Sequence, residues 1–293
     1  MVCEITSMKN HTLEVIQKKQ TESNMKIAFH TLGCKVNQYE SQALKEKLIN
    51  KGHQIVGDDE YADVYVINTC TVTGLSDRKS RQFIRRVKKI NPDSITAVVG
   101  CYAQVSPEEA KNIEGVNIVV GTNEKNKLPE YIEEYARTKG VECHIKEPEQ
   151  LTEYEEMGII TTMDSRTRAY IKVQEGCNKF CSYCIIPFAR GTVRSRAKEE
   201  IIKEAQSLIG QGFKEIVLTG INTALYGAEN ENLTSSVQGG NKVYGIEIIV
   251  NLLNELPGNF RVRLGSLEPN VINGEYAKRL LKYERLCPHM HLS

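Results

Sequence analysis

The sequence predicts an α/β protein built from two successive series of strands and helices. Apolar, strand-like runs alternate with helical patterns from Met25 onward, and the runs are apolar at nearly every position. Continuously apolar strands that alternate with helices are typical of a parallel sheet covered on both faces. The alternation stops at about residue 146 and resumes after about residue 166. We therefore expect an N-terminal parallel-sheet domain followed by an incomplete (βα) partial barrel.

The first series is predicted to form a domain over residues 25–145. Strands are expected at 26–32, 62–68, 95–100 and 116–120, and helices at 37–51, 76–90, from 106 onward and at 128–137. Gly52 and the Asn91-Pro92 pair provide stop signals for the first two helices. Ser106 is the expected N-cap of the third helix, because Pro107 and two glutamates follow it.

Two segments outside the regular pattern mark the ends of this first domain. Residues 1–24 show no clear strand or apolar stripe, so we expect a disordered leader or a natural start at Met25. A truncation at Met25 that lost the ability to fold would contradict this expectation. Residues 146–166 show no strong period and are predicted to be a linker.

The second series is predicted to occupy residues 167–293. Strands are expected at 169–174, 214–219 and 261–264, with the opening of another at 289–293. Helices are expected at 197–210, 244–256 and 274–283, and a loop rich in Gly, Asn and Ser at 228–241. A closed barrel needs more strands than these four, so the barrel is expected to be unfinished, with an exposed strand edge and low stability or activity.

Composition excludes several classes of protein. The 293-residue chain has a formal net charge of +1, so a nucleic-acid signal has to be local. No apolar run approaches the roughly 20 residues of a membrane span, and the polar N-terminus does not resemble a secretory signal. Nine cysteines without an export signal favour metal or redox chemistry over disulfides, in a reducing cytoplasm.

Three of these cysteines lie on one loop after the first strand of the second series. Cys177, Cys181 and Cys184 form a C-x3-C-x2-C array, with Tyr183 before the last cysteine. Three thiolates on one loop can hold three irons of a four-iron, four-sulfur cluster and leave the fourth iron open for a small molecule. The alternative is zinc, but a structural zinc site takes four ligands and no fourth follows at the usual spacing.

A second set of cysteines follows three strands of the first series. Cys34, Cys70 and Cys101 each come within two residues of a predicted strand end, and glycines precede Cys34 and Cys101. The C-terminal ends of parallel strands share one edge of a sheet, so the three thiols are expected to lie close together and to hold a second cluster. Free cysteines are also common as small buried hydrophobes. Cys143 and Cys287 are expected to be ordinary buried or half-buried thiols, whereas Cys3 belongs to the leader.

The loop array resembles the C-x3-C-x-aromatic-C sequence of radical S-adenosylmethionine enzymes. Together with Cys34, Cys70 and Cys101, it is similar to the methylthiotransferase family, from about Met25 to Ser293. The sequence at 33–38 (GCKVNQ) and at 181–191 (CSYCIIPFARG) most resembles the branch that acts on threonylcarbamoyladenosine in tRNA. Family members usually carry a further RNA-binding domain after the barrel, so we expect that this chain is a fragment.

The resemblance implies a radical mechanism with two four-iron clusters and S-adenosylmethionine as cofactors. Cys177, Cys181 and Cys184 would hold the cluster that cleaves S-adenosylmethionine, and the other three cysteines would hold the cluster that supplies sulfur. Tyr183 would lie against the adenine of S-adenosylmethionine, and Gly220 would approach its methionine part. The implied partners are the tRNA anticodon arm, as substrate, and an electron donor such as flavodoxin or ferredoxin. Alternative substrates are isopentenyladenosine in tRNA and a ribosomal protein.

A local basic pattern is the only sequence feature that points directly to nucleic acid. The helix predicted after Cys70 carries seven cations, namely Arg78, Lys79, Arg81, Arg85, Arg86, Lys88 and Lys89. Their helical spacing predicts a phosphate-binding stripe, although a charged helix face is usually only solvated. Arg190, Arg194 and Arg196 are expected to add phosphate contacts. A non-catalytic iron–sulfur or zinc protein that binds RNA would show the same features.

Overall fold

The computed structural model describes residues 24–71, 74–163, 167–230 and 245–293. The predicted leader, but for its last residue, and most of the predicted 228–241 loop lie outside these ranges. The first half of the described chain forms a sheet of six parallel strands in the order β2-β1-β3-β4-β5-β6. The strands are β1 (Lys26–Thr31), β2 (Gln54–Val56), β3 (Val64–Thr69), β4 (Ile95–Gly100), β5 (Ile118–Val120) and β6 (Glu142–His144).

Helices cover both faces of this sheet, which explains why its central strands are buried at every position. They are α1 (Lys35–Asn50), α2 (Gly74–Ile90), α3 (Cys101–Val105), α4 (Pro107–Lys111) and α5 (Leu128–Thr138). All six residues of β3 and all six of β4 are buried, with one apolar cluster on each side of the sheet. The predicted parallel-sheet domain is therefore confirmed.

The sequence prediction differs from the structure at the sheet edges and at Ser106. The edge strands β2 and β6 were missed, because each has only three residues and neither is continuously buried. Ser106 does start a helix, α4, but its side chain makes no capping hydrogen bond. The reason is that Ser106 also ends α3, where its backbone N–H donates to Tyr102 O at 2.9 Å, with φ −131° and ψ 60°.

The second half of the chain forms a half-barrel sheet of four strands in the order β10-β9-β7-β8. Strands β7 (Arg168–Glu175), β9 (Glu215–Gly220) and β10 (Arg261–Leu264) are parallel, and the two-residue β8 (Arg194–Ser195) runs antiparallel to β7. The helices are α6 (Ile186–Arg190), α7 (Lys198–Gly210), α8 (Gly245–Asn254) and α9 (Gly274–Leu280). This confirms the predicted partial barrel.

The last predicted strand pairs outside the main sheet. Residues at 289–293 contain β12 (His291–Leu292), which pairs in parallel with β11 (Ser266–Leu267), immediately after β10. A single parallel bridge between Val262 and Leu286 connects this end of the chain to β10. None of the helices in the described ranges has the length and apolar character needed to cross a bilayer.

The predicted linker packs against both domains, since Leu151 contacts Gly191 and Arg194 whereas Met157 and Ile160 join the apolar cluster that includes α1. Leu151, Met157 and Ile160 are buried. The backbone N–H groups of Thr161 and Thr162 donate to the carboxylate of Glu46 at 2.7–2.9 Å, and their hydroxyls also donate to it. The crossing segment is therefore held against the first domain by apolar burial and by backbone hydrogen bonds.

Candidate metal centres

The first cysteine array lies on a loop that backbone geometry holds at the C-terminal end of β7. Gly176 has φ +73°, and a Cβ at this position would lie 1.7 Å from Thr192 O, so only glycine fits. The loop is fixed by hydrogen bonds from Cys177 N to Gly191 O (3.1 Å) and from Val193 N to Asn178 Oδ1 (3.0 Å). Its cysteines are exposed or half-buried and therefore accessible to a ligand.

A cavity of about 370 Å³ opens beside these cysteines. Its wall includes all three thiols, Lys179, Tyr183 and residues from the ends of β9 and β11 such as Asn222 and Glu268. This volume lies within the usual range for a small-molecule site. Tyr183 is 90% exposed, so one face of its ring is available to a planar ligand. Gly220 lies at the end of β9 and does not line the cavity, whereas its neighbours Ile221 and Asn222 do.

The three thiols of the loop are close enough to interact electrostatically. Burial raises the pKa of Cys177, and negative charge on Cys184, Glu268 and Cys181 raises it further. Metal ions at this position would supply the missing positive charge and keep the thiols deprotonated. The donor set therefore fits a thiolate-bound metal cluster.

The second set of cysteines lies at one edge of the six-stranded sheet, as the sequence predicted. Cys34, Cys70 and Cys101 follow the adjacent strands β1, β3 and β4. Thr69 pairs with Gly100 in the sheet register, so the next residues, Cys70 and Cys101, leave neighbouring strand ends. Cys34 is exposed, whereas Cys70 and Cys101 are buried.

Gly33 brings the first of these strand ends against the second. It has φ +104°, and a Cβ here would lie 2.6 Å from Cys70 Cβ and 2.9 Å from Cys70 Sγ. Asn37, in the first turn of α1, spans the same two strand ends because its Nδ2 donates to Leu32 O (2.8 Å) and to Thr69 O (2.9 Å). The glycine and the asparagine thus fix how close Cys34 can be to Cys70.

A single metal ion and a four-iron cluster require different arrangements of their ligands. Among the residues that the structure describes, no three His, Cys, Asp or Glu side chains converge as ligands of one metal ion must. A four-iron cluster binds each thiolate through a different iron, so its cysteines need not converge on a point. The roles of both cysteine sets as ligands remain predictions.

A fully buried ion cluster joins the two domains between these cysteine sets. Within the described residues, its ion pairs join two carboxylates to four cations: Glu40 and Glu175 to Lys125, Lys172, Arg190 and Arg194. Glu40 and Lys125 belong to the first domain and the other four residues to the second. Burial would raise the pKa of Glu40, but Arg190, Lys125 and Lys172 hold it well below its usual range. Burial is likewise offset at Glu175, where Lys172 and Arg190 lower the pKa to about 2.

Burial of Arg190, Arg194 and Arg196 contradicts their predicted phosphate contacts. Arg190, Arg194 and Arg196 are buried, with exposed fractions of 0–2%, so none of them can reach a phosphate group on the surface. Arg196 forms a second buried network, in which it donates to Glu156, Glu204 and Tyr39. The sequence pattern could not separate buried from exposed arginines, because their carboxylate partners are 8 to 150 residues away.

Sequence reasoning also missed Glu40, Lys125, Lys172 and Glu175. One signal was available, since Lys172 lies between the apolar residues Ile171 and Val173 of β7 (RAYIKVQE). A lysine at a strand position that faces a core needs a buried carboxylate partner, which here is Glu40 at 3.1 Å and Glu175 at 3.0 Å. The other three residues carry no comparable signal.

The predicted basic stripe is present on α2, with one exception. Arg78, Lys79, Arg81, Arg85, Arg86 and Lys89 are exposed. Lys88 instead donates to the carbonyl oxygens of Pro92 and Ser94, just after the end of the helix, and burial lowers its pKa. Arg81 and Arg85 share a pocket with Glu108, Glu109 and Glu114, so acidic groups border the stripe.

The cysteines outside the two sets are only partly as expected. Cys287 is buried, as an ordinary core thiol would be. Cys143 is exposed on the edge strand β6, so the expected burial was wrong there, because an edge strand leaves one side open to solvent. Cys3 lies outside the described residues.

Comparisons with known proteins match both halves of the chain. Residues 26–121 match the uncharacterized protein family UPF0004, and residues 171–293 match the radical SAM superfamily. A Bacillus subtilis protein, threonylcarbamoyladenosine tRNA methylthiotransferase MtaB, is 43% identical over 91% of this chain and 56% of its own length. Its Aquifex aeolicus counterpart is 39% identical over 92% of this chain and 62% of its own length. A tRNA-2-methylthio-N(6)-dimethylallyladenosine synthase from Clostridium tetani is 32% identical over 95% of this chain and 60% of its own length.

A solved structure of the radical S-adenosylmethionine methyltransferase TsrM from Kitasatospora setae shares the fold. The TM-score is 0.62 at 14% identity, over 92% of this chain and 59% of TsrM. The chain spans 56–62% of the length of these curated relatives. The two domain matches in this order, together with relatives at 31–43% identity, establish its family. The chain belongs to the radical S-adenosylmethionine methylthiotransferase family, whose cofactors are S-adenosylmethionine and four-iron, four-sulfur clusters.

Proposed function

We propose that this protein adds a methylthio group to C2 of N6-threonylcarbamoyladenosine next to the tRNA anticodon. The observation that carries the proposal is the presence of two three-cysteine sets on segments that meet at one domain interface. Among the relatives compared, the two most similar are both named as threonylcarbamoyladenosine tRNA methylthiotransferases. This supports the choice of substrate over isopentenyladenosine and over a ribosomal protein.

The two sets of cysteines have different proposed roles. Cys177, Cys181 and Cys184 would hold the cluster to which S-adenosylmethionine binds, and Cys34, Cys70 and Cys101 would hold the other. Together these groups supply a carbon radical that removes hydrogen from C2, a sulfur atom and a methyl group. The exposed ring of Tyr183 would stack on the adenine of S-adenosylmethionine, and Gly220 would help to shape the strand end behind the methionine part.

The protein's own residues fix where these groups are held. Asn222 donates to Glu268 at 3.0 Å, which orders the cavity wall opposite the cysteines. Lys179 Nζ lies 3.6 Å from Glu268, so the cysteine loop is linked to that wall by an ion pair. Both side chains are partly exposed, so this pair contributes little to stability, and its value lies in orientation.

The exposed cations of α2 are the proposed contact to the tRNA backbone. This helix begins four residues after Cys70, so its N-terminal end lies near the second cysteine set and its cations follow at increasing distance along the helix. Phosphate neutralisation by Lys and Arg would position the anticodon arm without reading its sequence. A reductant such as flavodoxin or ferredoxin completes the proposed set of partners, in the cytoplasm.

Anaerobic reconstitution followed by two separate assays tests this function. Cys177→Ala should abolish reductive cleavage of S-adenosylmethionine, whereas Cys70→Ala should leave cleavage intact and stop methylthiolation of tRNA. Cys143→Ala is the matched control and should change neither reaction, because this thiol is exposed on the edge strand β6, which is not adjacent to β1, β3 or β4. Equal loss of cleavage in the Cys177 and Cys70 variants would contradict the division of roles.

Nucleoside mass spectrometry on tRNA from a deletion strain identifies the substrate. Loss of the 2-methylthio form of threonylcarbamoyladenosine, restored by the gene, is the expected result. Loss of the methylthio form of isopentenyladenosine would assign the other tRNA substrate. A protein that binds one zinc and no iron would instead be a non-catalytic RNA-binding module.

A further inference from the structure

Arg190 follows the first cysteine set in the chain and directly contacts Cys101 of the second set. It is the last residue of α6, six residues after Cys184, and it is completely buried. Its Nε lies 3.3 Å from Cys101 Sγ, within hydrogen-bonding distance for sulfur. The rest of its guanidinium is fully used, since Nη1 donates to Glu40 and Glu175, and Nη2 donates to Asn37 and Glu40.

These contacts leave Arg190 no freedom to move. Four acceptors on three different segments surround one planar group, so both its position and the direction of its Nε–H are fixed. Asn37 Oδ1, at 2.8 Å, ties it to the side chain that spans the first two strand ends. Around Arg190, the ion pairs of the buried cluster join more cations than carboxylates.

We propose that Arg190 is a positioning residue for the cluster held by Cys34, Cys70 and Cys101, through its Nε–H···Sγ hydrogen bond to Cys101. The inference rests on the proposed function. Hydrogen bonds to ligand sulfur stabilise the reduced, more negative state of an iron–sulfur cluster and so raise its reduction potential. Arg190 thereby sets the potential and the retention of this cluster, from a helix that begins two residues after the other cysteine array.

The experiment isolates the second cluster in a Cys177→Ala, Cys181→Ala, Cys184→Ala triple variant of the chain. Iron content and midpoint potential are measured after anaerobic reconstitution, with and without Arg190→Lys. Lysine keeps the charge but loses the planar group and its Nε–H. We expect a more negative potential and an affinity for the cluster reduced by about 10- to 100-fold, the usual loss when a partner of a metal ligand is removed.

Arg196→Lys in the same background is the matched control. Arg196 is equally buried and also spans the two domains, but its contacts are to Glu156, Glu204, Tyr39 and Gly158. It should lower thermal stability and leave the potential unchanged. If both variants lose similar stability and neither shifts the potential, Arg190 is merely structural and the proposal is overturned.

A measurement without substitution at Arg190 covers the case in which Arg190→Lys fails to fold. The triple variant is labelled with 15N-arginine, and its reduced cluster is studied by pulsed electron paramagnetic resonance. A 15N coupling from one arginine side chain supports the hydrogen bond, and its absence overturns it. An iron-free triple variant, with Arg190 intact, would overturn the proposed second cluster itself.

Discussion

Gly33 is the position where a single added methyl group should push apart Cys34 and Cys70, two cysteines of the second set. In Gly33→Ala, the new Cβ would lie 2.6 Å from Cys70 Cβ and 2.9 Å from Cys70 Sγ. Real Cβ atoms do not approach other carbon atoms this closely, so Cys70 or the end of β1 must move. The backbone is strained as well, because φ is +104°.

The magnitude follows from these two effects. A positive φ costs a non-glycine residue about 1–2 kcal/mol. Forcing an extra carbon into a packed site costs about 1–3 kcal/mol. We therefore expect Gly33→Ala to lower the free energy of unfolding of the apoprotein by about 2–5 kcal/mol, against a total of about 5–15 kcal/mol for a typical domain.

Two glycines at the end of α7 are control positions that distinguish backbone strain from steric overlap. Gly212 has φ +94° and no atom within 4 Å of an added Cβ, so Gly212→Ala should show the strain alone, about 1–2 kcal/mol. Gly210 has neither feature, and Gly210→Ala should be neutral or stabilising by up to about 1 kcal/mol. Urea unfolding under anaerobic, reducing conditions gives all three values.

Iron binding provides the functional readout of the same series. In the variant that lacks Cys177, Cys181 and Cys184, Gly33→Ala should reduce iron retention about tenfold or more, as expected when a metal ligand is misplaced. Gly212→Ala should retain full iron. If Gly33→Ala matched Gly212→Ala in both stability and iron content, the packing of Gly33 against Cys70 would not be what holds this site.

Three further changes test other parts of the molecule. Arg81→Glu combined with Arg85→Glu should weaken tRNA binding. The slope of log affinity against log salt concentration should become less negative by about 0.7–0.9 for each lost phosphate contact. Unchanged filter-binding curves would remove α2 from the interface. Glu40→Gln should lower the free energy of unfolding by about 3–5 kcal/mol, because it leaves buried cations unpaired. Glu130→Gln, on the surface, should lower it by less than about 1 kcal/mol. Similar urea midpoints for the two variants would refute the buried pairing. Burial alone would raise the pKa of Glu124, but hydrogen bonds from Lys146 and other partners lower it to about 2. The stability that this carboxylate provides is therefore present at neutral pH and lost as the pH falls from about 4.5 toward 2. The free energy of unfolding of Glu124→Gln, measured against pH, should fall less steeply in acid.

The sequence was most informative where local chemistry and strand order coincide. Cys34, Cys70 and Cys101 were predicted to meet because parallel strands end at a common edge, and β1, β3 and β4 are adjacent in the sheet. Buried, continuously apolar strands such as β3 and β4 were equally accessible to pattern reasoning. Their placement depends only on residues nearby in the chain and on a general rule of topology.

Pattern reasoning failed where the deciding partner is distant. Arg190 looked like a phosphate contact because it is one of three arginines in seven residues, yet its acceptors Asn37 and Glu40 lie 153 and 150 residues earlier. Neither burial nor pairing over such a separation leaves a periodic trace. The two edge strands, β2 and β6, were missed for a different reason, since three residues are too few to show a period.

The buried ion cluster makes the assembly of the two domains a late event in folding. Lys172, a partner of Glu40, is 132 residues further along the chain, and Glu204, the partner of Tyr39, is 165 residues further along. At about 5–20 residues per second, a ribosome takes roughly 7–30 s to make these intervening residues. During that time the six-stranded sheet can form, while Glu40 and Lys125 remain hydrated. The closing of the interface is therefore a step that synthesis of the half-barrel controls.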